Sequence, residues 1–139
     1  MTASDDGDGY GADGVETRES SLPFETTLER LRDVIERRGL RVFDVIDHQA
    51  AAVDVGLTLR PTRVIVFGSP NAGTPLMVAY PLLALELPLR ILVWEADDGR
   101  VRVSHLAADA LAGQFRIDAT MIGPLAAPAV IVSDALDGG

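Results

Sequence analysis

The stretch that decides the fold is residues 88–105, PLRILVWEADDGRVRVSH. Residues 88–96 are predicted to form a strand. Asp98-Gly99 is a strong two-residue hairpin signal, because Gly accepts the positive φ angles that such turns require. A partner strand follows the turn, and one of its faces carries Val101, Val103 and His105. This hairpin favours an antiparallel or mixed sheet over a doubly wound one.

Three more strands and one long helix precede the hairpin. Strands are predicted at residues 15–20, 41–47 and 64–67, the last being a short apolar run bounded by turn residues. The helix begins near Pro23, which a first turn tolerates, and ends at Gly39. Its apolar side chains recur at three- and four-residue spacing and make one face: Phe24, Leu28, Leu31, Val34 and Ile35.

Shorter helices are predicted between and after the strands. One follows Asp47, whose carboxylate can cap it, and ends at Gly56. Two more are predicted at residues 75–80 and 108–112, and residues 119–136 predict a C-terminal helix kinked by prolines. The fold class is therefore α+β, with a mostly antiparallel sheet of four to five strands and two main helices.

The length of 139 residues suits one domain, which we place at residues 15–139. Residues 1–14 are rich in Gly and Asp and are expected to be a disordered acidic tail. No apolar run approaches the roughly 20 residues of a membrane span, and the N-terminus does not resemble a secretory signal. The absence of cysteine excludes disulfides and thiolate chemistry. A cytoplasmic protein is expected.

The charge balance restricts the possible partners. The net charge is −9, and all 12 basic residues are Arg. Phosphate backbones and anionic membranes repel such a chain, so neither nucleic acid nor a membrane is a predicted partner. Two explanations of the acidity stay open: adaptation to high salt, in which carboxylates keep the surface hydrated, and GC-rich coding that replaces Lys with Arg.

The loop from Gly68 to Thr74 is the best candidate for a binding site. Its two glycines let the backbone approach a ligand, and N–H groups at a helix start can meet an anion. The alternative is a turn that needs Gly68 and Gly73 for its backbone geometry, with Thr74 capping the next helix. The predicted ligand-binding residues are His48, Gly68, Ser69, Asn71, Gly73 and Thr74.

The two histidines have functional and structural interpretations. His48 follows Asp47, and a carboxylate beside an imidazole can orient a general base or help to hold a metal. His105 shares a strand face with valines and is better explained as a hydrogen-bonded, half-buried structural residue at the sheet edge. If the two met in space they could bind a metal or haem together. No second His lies at helical ligand spacing, so no metal site is predicted, and the residues identify no cofactor.

Other chemistry-bearing residues are explained without a site. Asp97 and Asp98 suit the turn and Glu95 a solvated strand end, so these acids and Glu86 are not predicted as a catalytic pair. No serine has a nucleophile-elbow pattern, and no catalytic residue is predicted. One apolar stretch can cover the core, line a pocket or form a dimer contact: Met77, Tyr80, Leu82, Leu83 and Leu85.

Six short segments together resemble one family of small prokaryotic domains. They are Ile46-Asp47-His48, residues 59–62, residues 67–70, residues 73–77, residues 87–89 and residues 92–95. The chain resembles, over roughly residues 15–113, the family of the domain of unknown function 302. The resemblance implies a fold like the TATA-binding-protein half domain, a curved antiparallel sheet with two main helices packed on one face. It implies no established activity. The family's usual Asn before the loop proline is Ser69 here, and its usual aromatic at the hairpin end is His105.

Three functional hypotheses follow. The first is a non-enzymatic module that binds a small molecule or anion near residues 68–74, with His48 nearby. The second is a homo-oligomer, a dimer, with a structural or interaction role and no ligand, because an open sheet has edges to pair. The third is a hydrolase or isomerase that uses His48 and Asp47, for which the sequence offers no complete nucleophile, base and orienting group.

Overall fold

A five-stranded antiparallel sheet forms the centre of the protein. The computed structural model describes residues 11–138. The strands are β1 (Val15–Ser20), β2 (Arg41–Asp47), β3 (Thr62–Gly68), β4 (Leu89–Glu95) and β5 (Val101–Leu106). Their order across the sheet is β1-β5-β4-β3-β2, and every neighbouring pair is antiparallel. The predicted α+β class is confirmed, and β1 and β2 are the two edges.

Residues 11–138 contain five α-helices. They are α1 (Phe24–Arg37), α2 (His48–Asp54), α3 (Pro70–Ala79), α4 (Ala108–Phe115) and α5 (Ala127–Asp137). Short 3₁₀ turns span Pro81–Leu85, Ala119–Met121 and Gly123–Ala126. The two main helices, α1 and α5, pack against each other and on one face of the sheet.

The core lies between that sheet face and the two main helices. Helix α1 buries the apolar stripe that its spacing predicts, and its centre, Leu31 and Ile35, is fully buried. Each such side chain stabilises the fold by roughly 1.5–3 kcal/mol when it leaves water. The sheet contributes alternate residues of its three central strands, and α5 completes the layer: Ile65, Phe67, Ile91, Val93, Val101, Val103, Ile131, Val132 and Ala135.

Local signals end and start the elements as predicted. Gly39 after α1 and Gly99 in the β4–β5 turn have φ angles of 77° and 81°, which L-residues rarely adopt. The hairpin forms where it was predicted, but its loop has three residues, 97–99, rather than two, because the Ala96 N–H donates to the Arg100 carbonyl. Asp47 caps α2, because its Oδ1 accepts a hydrogen bond of 2.9 Å from the Ala50 N–H. These turn and cap interactions involve only neighbouring residues, so they set the ends of the elements without long-range contacts.

Three predicted helix boundaries were wrong, two of them at prolines. Helix α3 begins at Pro70 rather than Pro75, because a proline suits the first helical position and Pro75 is then carried in the interior. The C-terminal segment is two 3₁₀ turns followed by α5, because Pro124 and Pro128 each occupy the first turn of a new helix. Helix α4 extends to Phe115, three residues beyond the predicted end.

Residues 1–10 of the predicted acidic tail lie outside the described residues, which begin at Gly11. Within residues 11–138, no helix combines the length and apolar character needed to cross a membrane.

Candidate functional site

The loop predicted as a site borders a cavity of about 300 Å³ at the end of β3. We call it the apolar cavity. The sheet end, α3, the segment before β4 and the C-terminal 3₁₀ turn enclose it: Leu40, Phe43, Phe67, Gly68, Ser69, Pro70, Ala72, Gly73, Thr74, Leu76, Met77, Leu87, Pro88, Leu89, Pro124, Leu125 and Ala127. None of these is titratable, and only Ser69 and Thr74 bring a polar side-chain atom. A volume of this size is at the lower end of small-molecule pockets.

The walls of the apolar cavity differ between its base and its mouth. Phe67 and Leu125 at its base are almost completely buried. Phe43, Pro70 and Pro124 belong to the lining and are exposed to solvent, so they mark the mouth. A ligand can therefore enter from solvent through the mouth and contact buried apolar side chains at the base.

Gly68 and Gly73 leave room in this cavity without being required by the backbone. Among the described glycines, those with positive φ are Gly14, Gly39 and Gly56 besides Gly99, and neither loop glycine is one of them. An added Cβ at Gly73 would meet no atom closer than 3.8 Å, and one at Gly68 none closer than 3.7 Å. Turn geometry, the alternative explanation from sequence, does not require these two glycines.

The N–H groups at the start of α3 are largely occupied. Those of Ala72 and Gly73 both donate to the Ser69 carbonyl, at 3.1 and 2.8 Å, and Pro70 has no N–H. The Ser69 side chain makes no capping hydrogen bond. Few donors remain for an anion at this helix start, and no cationic side chain lines the cavity.

His48 lies at the opposite end of the β2–β3 pair from the loop. It follows Asp47, which pairs with Arg63, whereas Gly68 pairs with Arg41. The distance along the strand from Arg63 to Gly68 is about 17 Å. His48 is exposed and borders a different, wider cavity of about 490 Å³. The structure therefore does not bring His48 and the loop together.

The Asp47 carboxylate does not orient His48. It caps α2 through the Ala50 N–H, and its Oδ2 lies 3.3 Å from Nε of Arg63. Both interactions hold it in place as a structural group. The hydrolase or isomerase hypothesis loses the orienting contact on which it depended.

His105 also borders the wider cavity, but its side chain is only 5% exposed. Its Nδ1 is 3.0 Å from the Leu106 carbonyl and its Nε2 is 3.6 Å from Glu16. Its strand, β5, is separated from β2 by two strands, and this places the two backbones roughly 14 Å apart. Among residues 11–138, no group of three potential metal ligands is present.

The four acids considered from sequence each lie beside an arginine. Glu86 pairs with Arg90, and Arg60 bridges Glu95 and Asp97. Arg102 donates hydrogen bonds to Asp98, and this is the main cause of the lowered pKa of that carboxyl group.

The loop residues predicted from sequence form only part of the lining of the apolar cavity, and most of its walls come from other residues. Gly68, Ser69, Gly73 and Thr74 belong to the lining, whereas Asn71 does not. Of the apolar stretch after the loop, Met77 lines the cavity, Leu83 is buried beside it, and Leu82 and Leu85 are exposed. Leu40, Phe43 and Leu125 carried no signal, because Leu125 and the pair Leu40 and Phe43 lie far from each other and from the loop in the chain.

Fold and cavity define a class of protein: a small α+β domain with two helices on one sheet face and an apolar pocket at one end. The chain belongs to the family described as Domain of unknown function DUF302, whose sequence profile matches residues 16–129. The resemblance predicted from sequence is confirmed. The crystal structure of the uncharacterized conserved protein DUF302 from Bacillus stearothermophilus has the same fold, with a TM-score of 0.76 at 19% identity. The match covers 91% of this chain and 98% of that one.

Curated relatives are longer proteins. The fluoride-specific ion channel FluC 1 of Brucella suis biovar 1 (strain 1330) is 41% identical over 88 residues, which are 63% of this chain and 35% of that protein. FluC 2 of Brucella melitensis biotype 1 is likewise 41% identical over 88 residues, 33% of its length. The chain spans about a third of the length of these relatives.

Proposed function

We propose that this domain is a non-enzymatic binding module that holds a small, uncharged, apolar ligand in the apolar cavity. The observation that carries the proposal is a cavity of about 300 Å³ without a titratable group in its lining. A charged ligand would lose its hydration there without gaining a partner, at a cost of several kcal/mol. An apolar ligand instead gains roughly 25 cal/mol for each Å² that it buries.

The loop glycines support the same proposal. Gly73 lies inside α3, where Gly destabilises a helix by roughly 0.5–1 kcal/mol relative to Ala. A methyl group would fit against Leu87 and Met77 at ordinary contact distance. The missing side chain therefore weakens the helix and leaves the cavity larger, as expected where space for a ligand matters more than helix stability.

A fluorescence titration with the uncharged apolar probe N-phenyl-1-naphthylamine tests the proposal. Gly73→Leu should fill the cavity and weaken probe binding at least tenfold. The matched control is Gly113→Leu, because Gly113 is an exposed glycine in α4 whose added Cβ would meet nothing within 4 Å. Circular dichroism verifies that both variants fold. Equal binding by Gly73→Leu and the parent would refute the proposal.

The natural ligand is to be identified by native mass spectrometry of protein purified gently from its host. A bound mass in the parent that is absent from Gly73→Leu would identify the occupant of the cavity. A parent protein without any bound mass that also fails to bind the probe would leave the cavity without a ligand and contradict the proposal.

A second candidate function rests on the curated relatives. A domain similar to this one occupies about a third of proteins named fluoride-specific ion channels. We propose that such a domain acts as an accessory to a membrane channel that another segment or chain provides. The test deletes the matching third from a Brucella relative, measures fluoride efflux, and supplies this domain in trans. Efflux that neither the deletion nor the addition changes would contradict this role.

A further inference from the structure

The two edges of the sheet differ in how well they could accept another strand. At the β2 edge the pairing register shifts between Val42 and Asp44, so Phe43 is an extra residue. The Asp44 Oδ1 also accepts a 2.8 Å hydrogen bond from the Val45 N–H. A bulge and an occupied donor are devices that keep an edge strand from pairing.

The β1 edge has no bulge, although the Val15 N–H at its start already donates to the Ala12 carbonyl at 3.2 Å. All six residues of Val15–Ser20 pair with β5 in one continuous register. Among the described residues, no side chain accepts from a backbone N–H between Glu16 and Glu19. A regular edge strand with available backbone groups is a template for a further strand.

In one antiparallel register, the charged residues of β1 lie opposite residues of opposite charge in a second copy of β1. If two copies of β1 run antiparallel with Thr17 opposite Thr17, then Glu16 of each copy lies opposite Arg18 of the other. Opposite charges and Thr–Thr pairs at facing positions stabilise a sheet, and like charges destabilise it. Moving the centre to Arg18 would place two arginines face to face, so the sequence selects the first register.

Helix α5 adds an exposed apolar residue on the same side. Arg18 of β1 donates to the Asp137 carboxylate at 2.6 and 2.9 Å, and Ser133 donates to it at 3.2 Å. This face of α5 is therefore turned toward β1, and Val130 lies on it at helical spacing. Val130 is 41% exposed, and a second copy placed at the edge would cover it.

We propose that β1 pairs with β1 of a second copy of this chain, antiparallel about Thr17, to give a continuous sheet of two five-stranded halves. This interface does not depend on ligand binding, because the apolar cavity lies at the β2 side of the sheet and β1 is the opposite edge. The proposal gives the homo-oligomer expected from sequence a specific interface and register.

A charge exchange tests the interface. Glu16→Arg places two arginines opposite each other across the paired strands, and Arg18→Glu places two glutamates opposite each other. Analytical ultracentrifugation should show a parent dimer, at least tenfold weaker association for each variant alone, and restored association in a mixture of the two. Asp44→Arg on the β2 edge is the control and should remain dimeric.

Arg18→Glu also loses the two hydrogen bonds to the Asp137 carboxylate. The melting temperature of this variant must therefore be measured together with its dimerisation. Glu16→Arg alone keeps the test decisive if the other variant fails to fold. A parent that is monomeric up to millimolar concentration, or a dimer that Glu16→Arg leaves unchanged, would overturn the proposal.

Cysteine cross-linking tests the register, and the parent chain has no cysteine to interfere. Thr17→Cys should form an intermolecular disulfide on mild oxidation, because the Cα atoms of facing residues in antiparallel strands lie about 4.5–5.5 Å apart, within the range that disulfides span. Glu19→Cys, which faces Val15 of the second copy, should cross-link much more slowly. Faster linking through position 19 would contradict the proposed register.

Discussion

The two ends of the β2–β3 pair are stabilised in different ways. At the Gly68 end, apolar side chains surround a cavity and no titratable group is in contact with it. At the Asp47 end, Arg63 lies over the Phe24 ring and pairs with both Glu25 and Asp47. One end depends on burial of apolar surface, and the other on exposed charges and a helix cap.

The two ends lie about 17 Å apart along β3, which is too far for one small ligand to contact both, and they also differ in how strongly their contacts stabilise the fold. Exposed ion pairs are screened by water and contribute about 0–1 kcal/mol, whereas a buried Leu contributes several times as much. The Gly68 end encloses a cavity between apolar side chains, and His48 at the other end is exposed. Mutations at the two ends should therefore differ in size and in kind.

The largest effect is expected at the base of the apolar cavity. Leu125 is 1% exposed, and Leu125→Ala should lower the free energy of unfolding by roughly 2–5 kcal/mol through lost burial and a larger void. Leu85→Ala is the control, because Leu85 is 78% exposed and should change stability by less than about 0.5 kcal/mol. Urea unfolding measures both, and similar effects of the two would contradict the comparison.

A smaller effect is expected at the helix cap of the charged end. Asp47→Ala removes the acceptor of the Ala50 N–H and a partner of Arg63, and should cost roughly 0.5–2 kcal/mol. Asp54→Ala, at the other end of α2, serves as the control and should cost under about 0.5 kcal/mol. A loss as large as that of Leu125→Ala would show that this end is more than a surface cap.

The response to acid extends the comparison to the Arg18–Asp137 contact. The hydrogen bond from Arg18, and then its charge, hold the pKa of Asp137 below its ordinary value. Since the folded-state pKa is the lower one, the contact stabilises the fold above the unfolded value of about 3.9 and loses this effect as the pH falls toward the folded value.

Asp137→Asn should therefore flatten the fall in melting temperature between about pH 5 and pH 2. The Leu125→Ala variant, by contrast, should keep the parent's pH dependence, because it removes no charge. An unchanged acid dependence in Asp137→Asn would show that this exposed pair does not contribute to stability.

The smallest effect is expected for His48→Ala. His48 is exposed and about 17 Å from the loop along the strand, so stability should change by less than about 0.5 kcal/mol. Binding of N-phenyl-1-naphthylamine should also stay unchanged. A loss of probe binding would show that His48 contributes to the same site as the loop, contrary to the separation of the two ends.

Much of the fold could be predicted from particular residues. Asp98-Gly99 gave the hairpin because the turn needs a positive φ angle, and the spacing from Phe24 to Ile35 gave the buried face of α1. The predicted helix boundaries were wrong at prolines, because a proline can start a helix as readily as it ends one. Neighbouring residues alone do not decide between the two.

Of the candidate site, the glycine-rich loop could be found and the cavity could not. The loop residues are adjacent in sequence and are marked by unusual composition. The cavity needs Leu40, Phe43 and Leu125, which carry ordinary apolar side chains and meet only after the chain has folded. The adjacent residues Asp47 and His48 suggested a functional pair. In the folded protein, however, the Asp47 carboxylate caps α2 and pairs with Arg63.

By itself, the sequence determined the fold class, the antiparallel hairpin and the buried face of α1, because turn geometry and side-chain periodicity act over a few residues. The family was identified separately, from the resemblance of six short segments to its other members. Only the tertiary structure decided which segments share a cavity, that His48 lies away from it, and that β1 and β2 are the edges. Those outcomes depend on the strand order β1-β5-β4-β3-β2, which long-range packing selects from several orders that the same local signals permit.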